Sequence, residues 1–293
     1  MTGDGVNDAP ALKRANVGIA VAGATPAAKG AADIVLTEEG IGTIVTAIHA
    51  SRRIFRRLQT YIIYRMASSL MILGFFFLAI LILDFEFPTW TLVLISLTND
   101  LSVMATSFDH VHSSALPEIW NMTRCLVVAV ALAAVGVGSS MLLLLLCTSL
   151  DWWGAWDVTL VPNPGPGTVN PQTVSVMYLA LTLFIQLQIL LTRNPSFWWR
   201  FAPHSAPAPA PALVLPVLAF CVGSTFLAVY WPIGVQPDGG NAALQGAGWV
   251  PALVAWLWVL VWLQVADLAK YGVQRVYRRY DVVKVGGLRC ALR

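Results

Sequence analysis

The most chemically specific segment lies at the start of the chain and reads TGDGVNDAPALK over residues 2–13. Gly3 and Gly5 permit a sharp turn at the point where a strand is expected to end. Asp4 and Asp8 supply hard oxygen ligands, which suit a Mg²⁺ ion bound beside a phosphate. A Gly-Asp-Gly turn before an Asn-Asp helix cap also has a purely structural reading in α/β proteins. A pattern twelve residues long is nevertheless far more specific than a lone pair of glycines, so we interpret this segment as functional.

A second candidate is Asp100, which lies midway along an apolar run that reads LISLTNDLSV over residues 94–103. An ionisable residue inside a membrane is energetically costly, so Asp100 is a functional candidate. The alternative is a neutral carboxylic acid, or one hydrogen-bonded to Asn99 or Ser96, that serves only helix packing. Asp100 is the only one of 15 acidic residues that is predicted deep inside a span. Four other acidic residues near the spans are predicted at span ends: Asp84, Glu86, Asp109 and Asp267. The first three of these are expected to be solvated.

The composition indicates that these residues are positioned by membrane helices. Hydrophobic residues make up 57% of the chain, charged residues only 11%, and the mean hydropathy is +0.70. A soluble domain of this size carries about a quarter charged residues. Six apolar runs are long enough to cross a bilayer: residues 60–83, 88–108, 123–147, 173–192, 211–231 and 249–270. The sequence therefore predicts an integral multi-pass protein whose surroundings are the lipid bilayer.

The distribution of basic residues predicts the orientation of these spans. All 18 Lys and Arg residues lie on the side of the membrane that carries both termini, and the three loops on the other side contain none. Because basic residues are retained in the cytoplasm, both termini are predicted to be cytoplasmic. The same basic residues flank the spans and form no separate basic domain, which argues against nucleic acid as a partner.

The first sixty residues have a different pattern, typical of an α/β domain. Residues 17–21 and 33–37 resemble short buried parallel strands. Residues 25–32 between them predict a helix with Thr25 as its N-cap and Pro26 at its first position. Further helices are predicted over residues 9–15 and from about residue 41 into the first span. This segment is too small to bury a core of its own, so it is expected to be part of a larger α/β domain.

The opening segment resembles the hinge motif of P-type ATPases, which closes their haloacid-dehalogenase-like phosphorylation domain. The resemblance continues through residues 18–22, 30–37 and 51–55 into the first span. It implies that the six spans are equivalent to helices five to ten of a pump, preceded by a partial α/β phosphorylation-domain segment. It also implies that Asp4, Asn7 and Asp8 support the phosphorylation site and that Asp4 and Asp8 hold Mg²⁺, which acts with ATP in the complete enzyme.

The resemblance further predicts how the chain is divided. Residues 1–58 correspond to the end of the phosphorylation domain with the hinge and stalk, residues 59–270 to the transmembrane domain, and residues 271–293 to a short cytoplasmic tail. The sequence contains neither the DKTG motif of the phosphorylated aspartate nor the TGE motif of the actuator domain. We therefore expect the chain to be the C-terminal portion of a pump, to need the N-terminal part as its partner, and to be inactive alone.

The transported ion is predicted from Asp100. Calcium requires six to eight oxygen ligands, whereas one aspartate can alternate between its charged and neutral forms and so suits a proton. The surrounding sequence resembles plasma-membrane proton pumps in the Asn99–Asp100 pair, in residues 107–111, and in Gln186 and residues 191–193. This resemblance implies ATP-driven proton export across the plasma membrane, with Asp100 as the proton carrier and Asn99 beside it.

One departure from that family concerns the charge opposite Asp100. Some proton pumps carry a basic residue midway along the first of these spans, where this chain has Met71. The basic residue here is Arg65, about two turns earlier, so no counter-charge for Asp100 is expected on this helix. Two alternatives remain: a pump for another cation, with Asp100 in a metal site, and a non-catalytic membrane protein that associates with an intact pump.

Overall fold

The computed structural model describes residues 1–38, 40, 42–83, 85, 87–113, 121–149, 171–194, 196–200, 207–230 and 246–291. Asp84, Glu86 and the loop predicted after the third span lie outside these residues. The chain divides into two compact units, which are described separately. The first comprises Met1–Arg56 with Ser113–Glu118, and the second comprises Arg57–His112 with Ile119–Arg293.

The first unit contains a small parallel sheet flanked by short helices. The strands are β1 (Thr2–Gly3), β2 (Ile19–Ala20) and β3 (Ile34–Val35), and they lie in that order in the sheet. Helix α1 (Ala9–Arg14) connects β1 to β2, and α2 (Pro26–Ala31) connects β2 to β3. A short 3-10 helix, Val6–Asp8, precedes α1. The predicted strands and helices are therefore present, although each strand is only two residues long.

The start of α2 follows the predicted capping pattern. The Thr25 hydroxyl accepts a hydrogen bond from the backbone N–H of Ala28, at 3.4 Å, and Pro26 occupies the first helical position. Proline is favoured there because its missing N–H would have no partner within the helix. Small side chains on α2 then pack with Leu12 and Ala20 in the core of this unit.

In the described residues, the second unit is built from six long helices. Their bounds are α3 (Gly42–Leu83), α4 (Thr89–Met104), α5 (Met122–Ser149), α6 (Pro171–Arg193), α7 (Pro211–Tyr230) and α8 (Trp249–Ala291). Helix α3 begins in the first unit, and a 3-10 turn, Ala105–Phe108, extends α4. All six are long and apolar enough to cross a membrane, as the hydropathy of the sequence predicted.

Helix α6 forms the centre of the second unit. It packs against α4, α5, α7 and α8. Of its most apolar stretch of 18 residues, 94% is buried inside the protein. Helix α5 approaches this centre closely at Gly136. A Cβ atom added to Gly136 would lie 2.6 Å from the sulfur of Met71 and 3.0 Å from a ring carbon of Phe184. The absence of a side chain therefore permits the contact between α3, α5 and α6.

Candidate functional site

The predicted hinge motif forms a tight turn after β1. One carboxylate oxygen of Asp8, Oδ2, accepts hydrogen bonds from the backbone N–H groups of Asp4 and Gly5, each at 3.1 Å. Gly3 leaves room for this arrangement, since an added Cβ would lie only 2.7 Å from the Cβ of Asp8. Asp8 therefore shapes the turn, and its second oxygen is the one left for another ligand.

Asp4 lies at the carboxyl end of β1 with its side chain exposed to solvent. Its backbone carbonyl accepts hydrogen bonds from the N–H and the hydroxyl of Thr25, at 2.9 and 3.2 Å. These two bonds fix the backbone at the start of α2 and leave the Asp4 carboxylate available. Asn7, the third predicted residue of this motif, is also exposed.

The donors of this turn fit a magnesium ion that is completed by other ligands. Mg²⁺ is commonly held by one or two protein carboxylates together with phosphate oxygens and water. Asp4 and Asp8 can supply such a pair. No group of three or more His, Cys, Asp or Glu side chains with metal-binding geometry occurs among the residues described here. The turn alone therefore does not form an all-protein metal cage.

The transport candidates lie on α4, facing two neighbouring residues of α3. The Arg65 guanidinium donates a short hydrogen bond to the Asp100 carboxylate and forms an ion pair with it. The Tyr64 hydroxyl donates a short hydrogen bond to the side-chain oxygen of Asn99. The expectation that α3 offers no counter-charge for Asp100 was wrong. Arg65 was excluded as a counter-charge because it lies about two turns before Met71, the position at which some proton pumps carry a basic residue. The long side chain of an arginine on a neighbouring antiparallel helix can span that distance.

Arg65 and Asp100 are more exposed than Asn99. The side chains of Arg65 and Asp100 are 42% and 55% exposed, whereas Asn99 is buried. Asp100 is therefore a partly accessible carboxylate opposite a fixed positive charge.

Asp109 was predicted to be solvated, and the structure corrects this. It is 4% exposed and forms an ion pair with Arg193, whose Nε lies 2.5 Å from its Oδ2. Its other oxygen accepts a hydrogen bond from the N–H of Ala210 at 3.2 Å, just before α7. The residue is the first after the 3-10 turn that extends α4, and α6 and α7 enclose it. A hydropathy profile detects the end of a span but not the helices that cover it.

A second buried ion pair was missed by the sequence analysis. Asp267 and Lys270 are one turn apart on α8, with side chains 0% and 1% exposed, and their charged atoms lie 2.5 Å apart. Lys270 donates to the carbonyl of Leu191 at 2.7 Å, near the end of α6, and Asp267 accepts from the N–H of Trp198 at 3.0 Å. The available signal was an acid and a base at i, i+3 spacing inside an apolar helix.

Comparison with known proteins first defines the class of the amino-terminal unit. A family model described as haloacid dehalogenase-like hydrolase matches residues 1–48. This range includes the hinge turn and all three strands, so the expected relationship to a phosphorylation domain of this type is confirmed. Together with the six membrane-capable helices, it confirms the predicted fold class.

Relatives extend the similarity to nearly the whole chain. Two proteins of Leishmania donovani, named probable proton ATPase 1B and probable proton ATPase 1A, are each 35% identical to it over 294 aligned residues. Each alignment covers 92% of this chain and 29% of the relative, so the chain spans less than a third of the length of these relatives. The protein is therefore similar to part of a P-type proton ATPase, as the motifs indicated.

Proposed function

We propose that this chain provides the hinge and membrane portion of an ATP-driven pump that exports protons across the plasma membrane, with Asp100 as the proton carrier. The observation that carries the proposal is the ion pair between Arg65 and Asp100, which joins α3 to α4 inside two spans. The relatives are named proton ATPases, which supports the same ion.

The pairing favours a proton over a metal ion. A metal cation at Asp100 would have to bind beside the positive guanidinium of Arg65, and like charges repel strongly where solvent is scarce. A proton only neutralises the carboxylate, and Arg65 can then move away from it. The side-chain oxygen of Asn99 is engaged by Tyr64, so it is not an obvious metal ligand either. A pump for another cation is thus the weaker alternative.

The chemistry in the amino-terminal unit rests on Asp4, Asn7 and Asp8. We assign Asp4 and the free oxygen of Asp8 to a Mg²⁺ ion that would neutralise charge on a phosphorylated aspartate in the complete enzyme. Asp8 also holds the turn through its contacts with the backbone of Asp4 and Gly5. Exposed Asn7 is assigned a supporting role at the same phosphorylation site.

The proposed organisation keeps the division expected from the sequence. Residues 1–58 form the phosphorylation-domain segment and stalk, residues 59–270 the membrane domain, and residues 271–293 the cytoplasmic tail. We assign both termini to the cytoplasm because the three loops predicted on the other side contain no Lys or Arg. The partner is the N-terminal part of the pump, which would carry the phosphorylated aspartate and the nucleotide site.

The test is the Asp100→Asn variant in a complete pump that contains this segment. Asparagine is nearly isosteric and neutral, so insertion and folding should be preserved, but it cannot bind and release a proton. We expect vesicles reconstituted with the variant to lose ATP-driven acidification. Phosphorylation from ATP can persist, because that chemistry belongs to the cytoplasmic part of the enzyme.

The matched control is Asp84→Asn, which removes a carboxylate predicted to lie at the outer end of the first span. It should acidify vesicles at a rate close to that of the unmodified pump. Asp109 is unsuitable as this control, because it is buried in an ion pair. A near-normal proton gradient with Asp100→Asn would exclude Asp100 as the carrier and the ion assignment with it. If the unmodified complete pump forms no phosphoenzyme from ATP, the result would point instead to a non-catalytic membrane protein.

A further inference from the structure

The search for a role beyond the proposed carrier leads to the buried ion pair of Asp109 and Arg193. This pair is almost inaccessible, with side chains 6% and 7% exposed. Its residues come from the segment after α4 and from the last turn of α6, 84 positions apart. Proton chemistry at Asp100 does not require either side chain directly, so their burial calls for another explanation.

Arg193 has a partner for each arm of its guanidinium. Beside the contact of Nε with Asp109, its Nη1 donates to the carbonyl of Pro207 at 2.6 Å. Its Nη2 donates to the carbonyls of His110 and Ala208, at 2.9 and 3.0 Å. These bonds connect the end of α6 with the segment after α4 and with the approach to α7. A planar guanidinium with several fixed acceptors holds its geometry much better than a single flexible contact.

Asp109 is equally well fixed. Its two carboxylate oxygens bind Arg193 and the N–H of Ala210, and its own N–H donates to the carbonyl of Thr106 at 3.2 Å. The backbone of Asp109 therefore has little freedom to rotate. As a result, the direction in which its carbonyl oxygen points is determined by the buried pair.

That carbonyl is the link to α3. It accepts hydrogen bonds from both Nε and Nη2 of Arg57, at 3.0 and 2.6 Å. Eight residues further along α3 lies Arg65, and nine residues earlier than Asp109 lies Asp100. Helices α3 and α4 run antiparallel. The contact of Arg57 with Asp109 and the ion pair of Arg65 with Asp100 therefore belong to the same alignment of the two helices.

The two connections differ in how they are held. The ion pair of Arg65 and Asp100 is 42% and 55% exposed, so surrounding side chains do not enclose it. The contact between Arg57 and Asp109 is anchored in a buried, hydrogen-bonded network. We therefore expect the contact between Arg57 and Asp109 to determine the alignment of the ion pair between Arg65 and Asp100.

We propose that Asp109 and Arg193 are positioning residues for proton transport: their buried ion pair, acting through Arg57, holds α3 and α4 in the register that places Arg65 against Asp100. This inference rests on the proposed function only in its consequence for transport. The register itself is a property of this chain.

The first experiment measures that register without reference to transport. The whole chain is reconstituted in lipid nanodiscs, and backbone hydrogen exchange is followed by mass spectrometry in Asp109→Asn. We expect exchange to become severalfold faster in residues 207–213 and also along α4, including Asn99 and Asp100. Asp109→Glu, which keeps the charge, should restore part of the protection.

The matched control is Asp267→Asn, which disrupts the other buried ion pair at the end of α6. It should accelerate exchange in α8 and in residues 196–200 but leave α4 unchanged. Arg57→Gln is the second variant, because it removes the link to α3 without touching the buried pair. It should loosen α4 while residues 207–213 stay protected.

The second experiment measures the consequence in a complete pump containing this segment. Asp109→Asn and Arg57→Gln should lower the number of protons moved per ATP hydrolysed, whereas Asp267→Asn should leave that ratio unchanged. Unchanged exchange of α4 in Asp109→Asn, or equal changes in Asp267→Asn, would overturn the positioning role. Altered exchange of α4 with full transport by Asp100→Asn would instead refute the proposed carrier and leave the register assignment intact.

Discussion

Arg65 and Asp100 are 35 residues apart in the sequence, yet the guanidinium of Arg65 donates directly to the Asp100 carboxylate. The arginine lies on α3, the helix that begins at Gly42 in the first unit, and the aspartate lies on α4, within the second span. One helix of 42 residues thus extends from the first unit to the charge that pairs with Asp100. Any displacement of α3 along its axis would change the distance between the two charges.

Removing the positive charge at Arg65 should impair transport without preventing assembly. In a complete pump, we expect Arg65→Gln to slow ATP-driven acidification of vesicles. The reason is that no guanidinium can then return to the Asp100 carboxylate and displace its proton. Arg65→Lys retains the charge and should transport faster than Arg65→Gln. The control is Arg200→Gln, an exposed arginine beyond α6. Equal rates for Arg65→Gln and the unmodified pump would remove Arg65 from the mechanism.

The buried pair on α8 allows a test of stability. Lys270→Met leaves the Asp267 carboxylate buried without its cation, so we expect a loss of about 3–5 kcal/mol. The double variant Asp267→Leu with Lys270→Met removes both charges and should be considerably more stable than Lys270→Met alone. Reversible unfolding in mixed micelles measures both values. A double variant less stable than Lys270→Met would contradict the assigned cost of the unpaired carboxylate, and a double variant less stable than the unmodified protein would show that the pair contributes net stability.

The close approach at Gly136 provides a second stability test. Gly136→Val would force methyl groups against Met71 and Phe184, and we expect it to cost about 1–3 kcal/mol through overpacking. Gly138→Val is the matched control on the same helix, since an added Cβ there meets no atom within 4 Å. The difference between the two variants, measured by the same unfolding assay, isolates packing from helix propensity. Similar stabilities would contradict the assigned contact between α3, α5 and α6.

The proposed topology rests on the absence of Lys and Arg from the three loops predicted on the outer side. Epitope tags at both termini should be protected in intact cells, and a tag inserted within residues 159–168 should be accessible from outside. Permeabilised cells, in which all three tags must be detected, provide the control. External accessibility of the C-terminal tag would reverse or change the predicted arrangement of spans.

A polypeptide of these 293 residues should not form a phosphoenzyme from ATP. The reason is chemical: the sequence contains no DKTG motif, and Asp4 and Asp8 are assigned to support an aspartyl phosphate rather than to become one. The measurement is acid-stable labelling of the purified chain with radioactive ATP and Mg²⁺. Labelling that disappears in Asp4→Asn would assign this chemistry to the hinge itself.

The helices and turns could be predicted from the amino-acid order. The positions of the six long helices among the described residues, the N-cap at Thr25 and the sharp turn at Gly3 and Gly5 could all be predicted. Each depends on local properties: the length of an apolar run, the preference of a residue for a helix end, or the conformational freedom of glycine. Such preferences act between near neighbours in the chain and are therefore visible in its order.

The pairing of charged residues, in contrast, depends on how distant parts of the chain pack together. From the sequence, Asp109 was expected to be solvated at a span end, but α6 and the start of α7 supply its partners. Arg65 was expected to be too distant from Asp100, but its side chain extends from α3 to the carboxylate on α4. Asp267 accepts a hydrogen bond from the N–H of Trp198, 69 residues earlier, and its partner Lys270 donates to the carbonyl of Leu191 near the end of α6. The free energy of a charge depends on the atoms around it, and for these residues those atoms come from distant parts of the sequence.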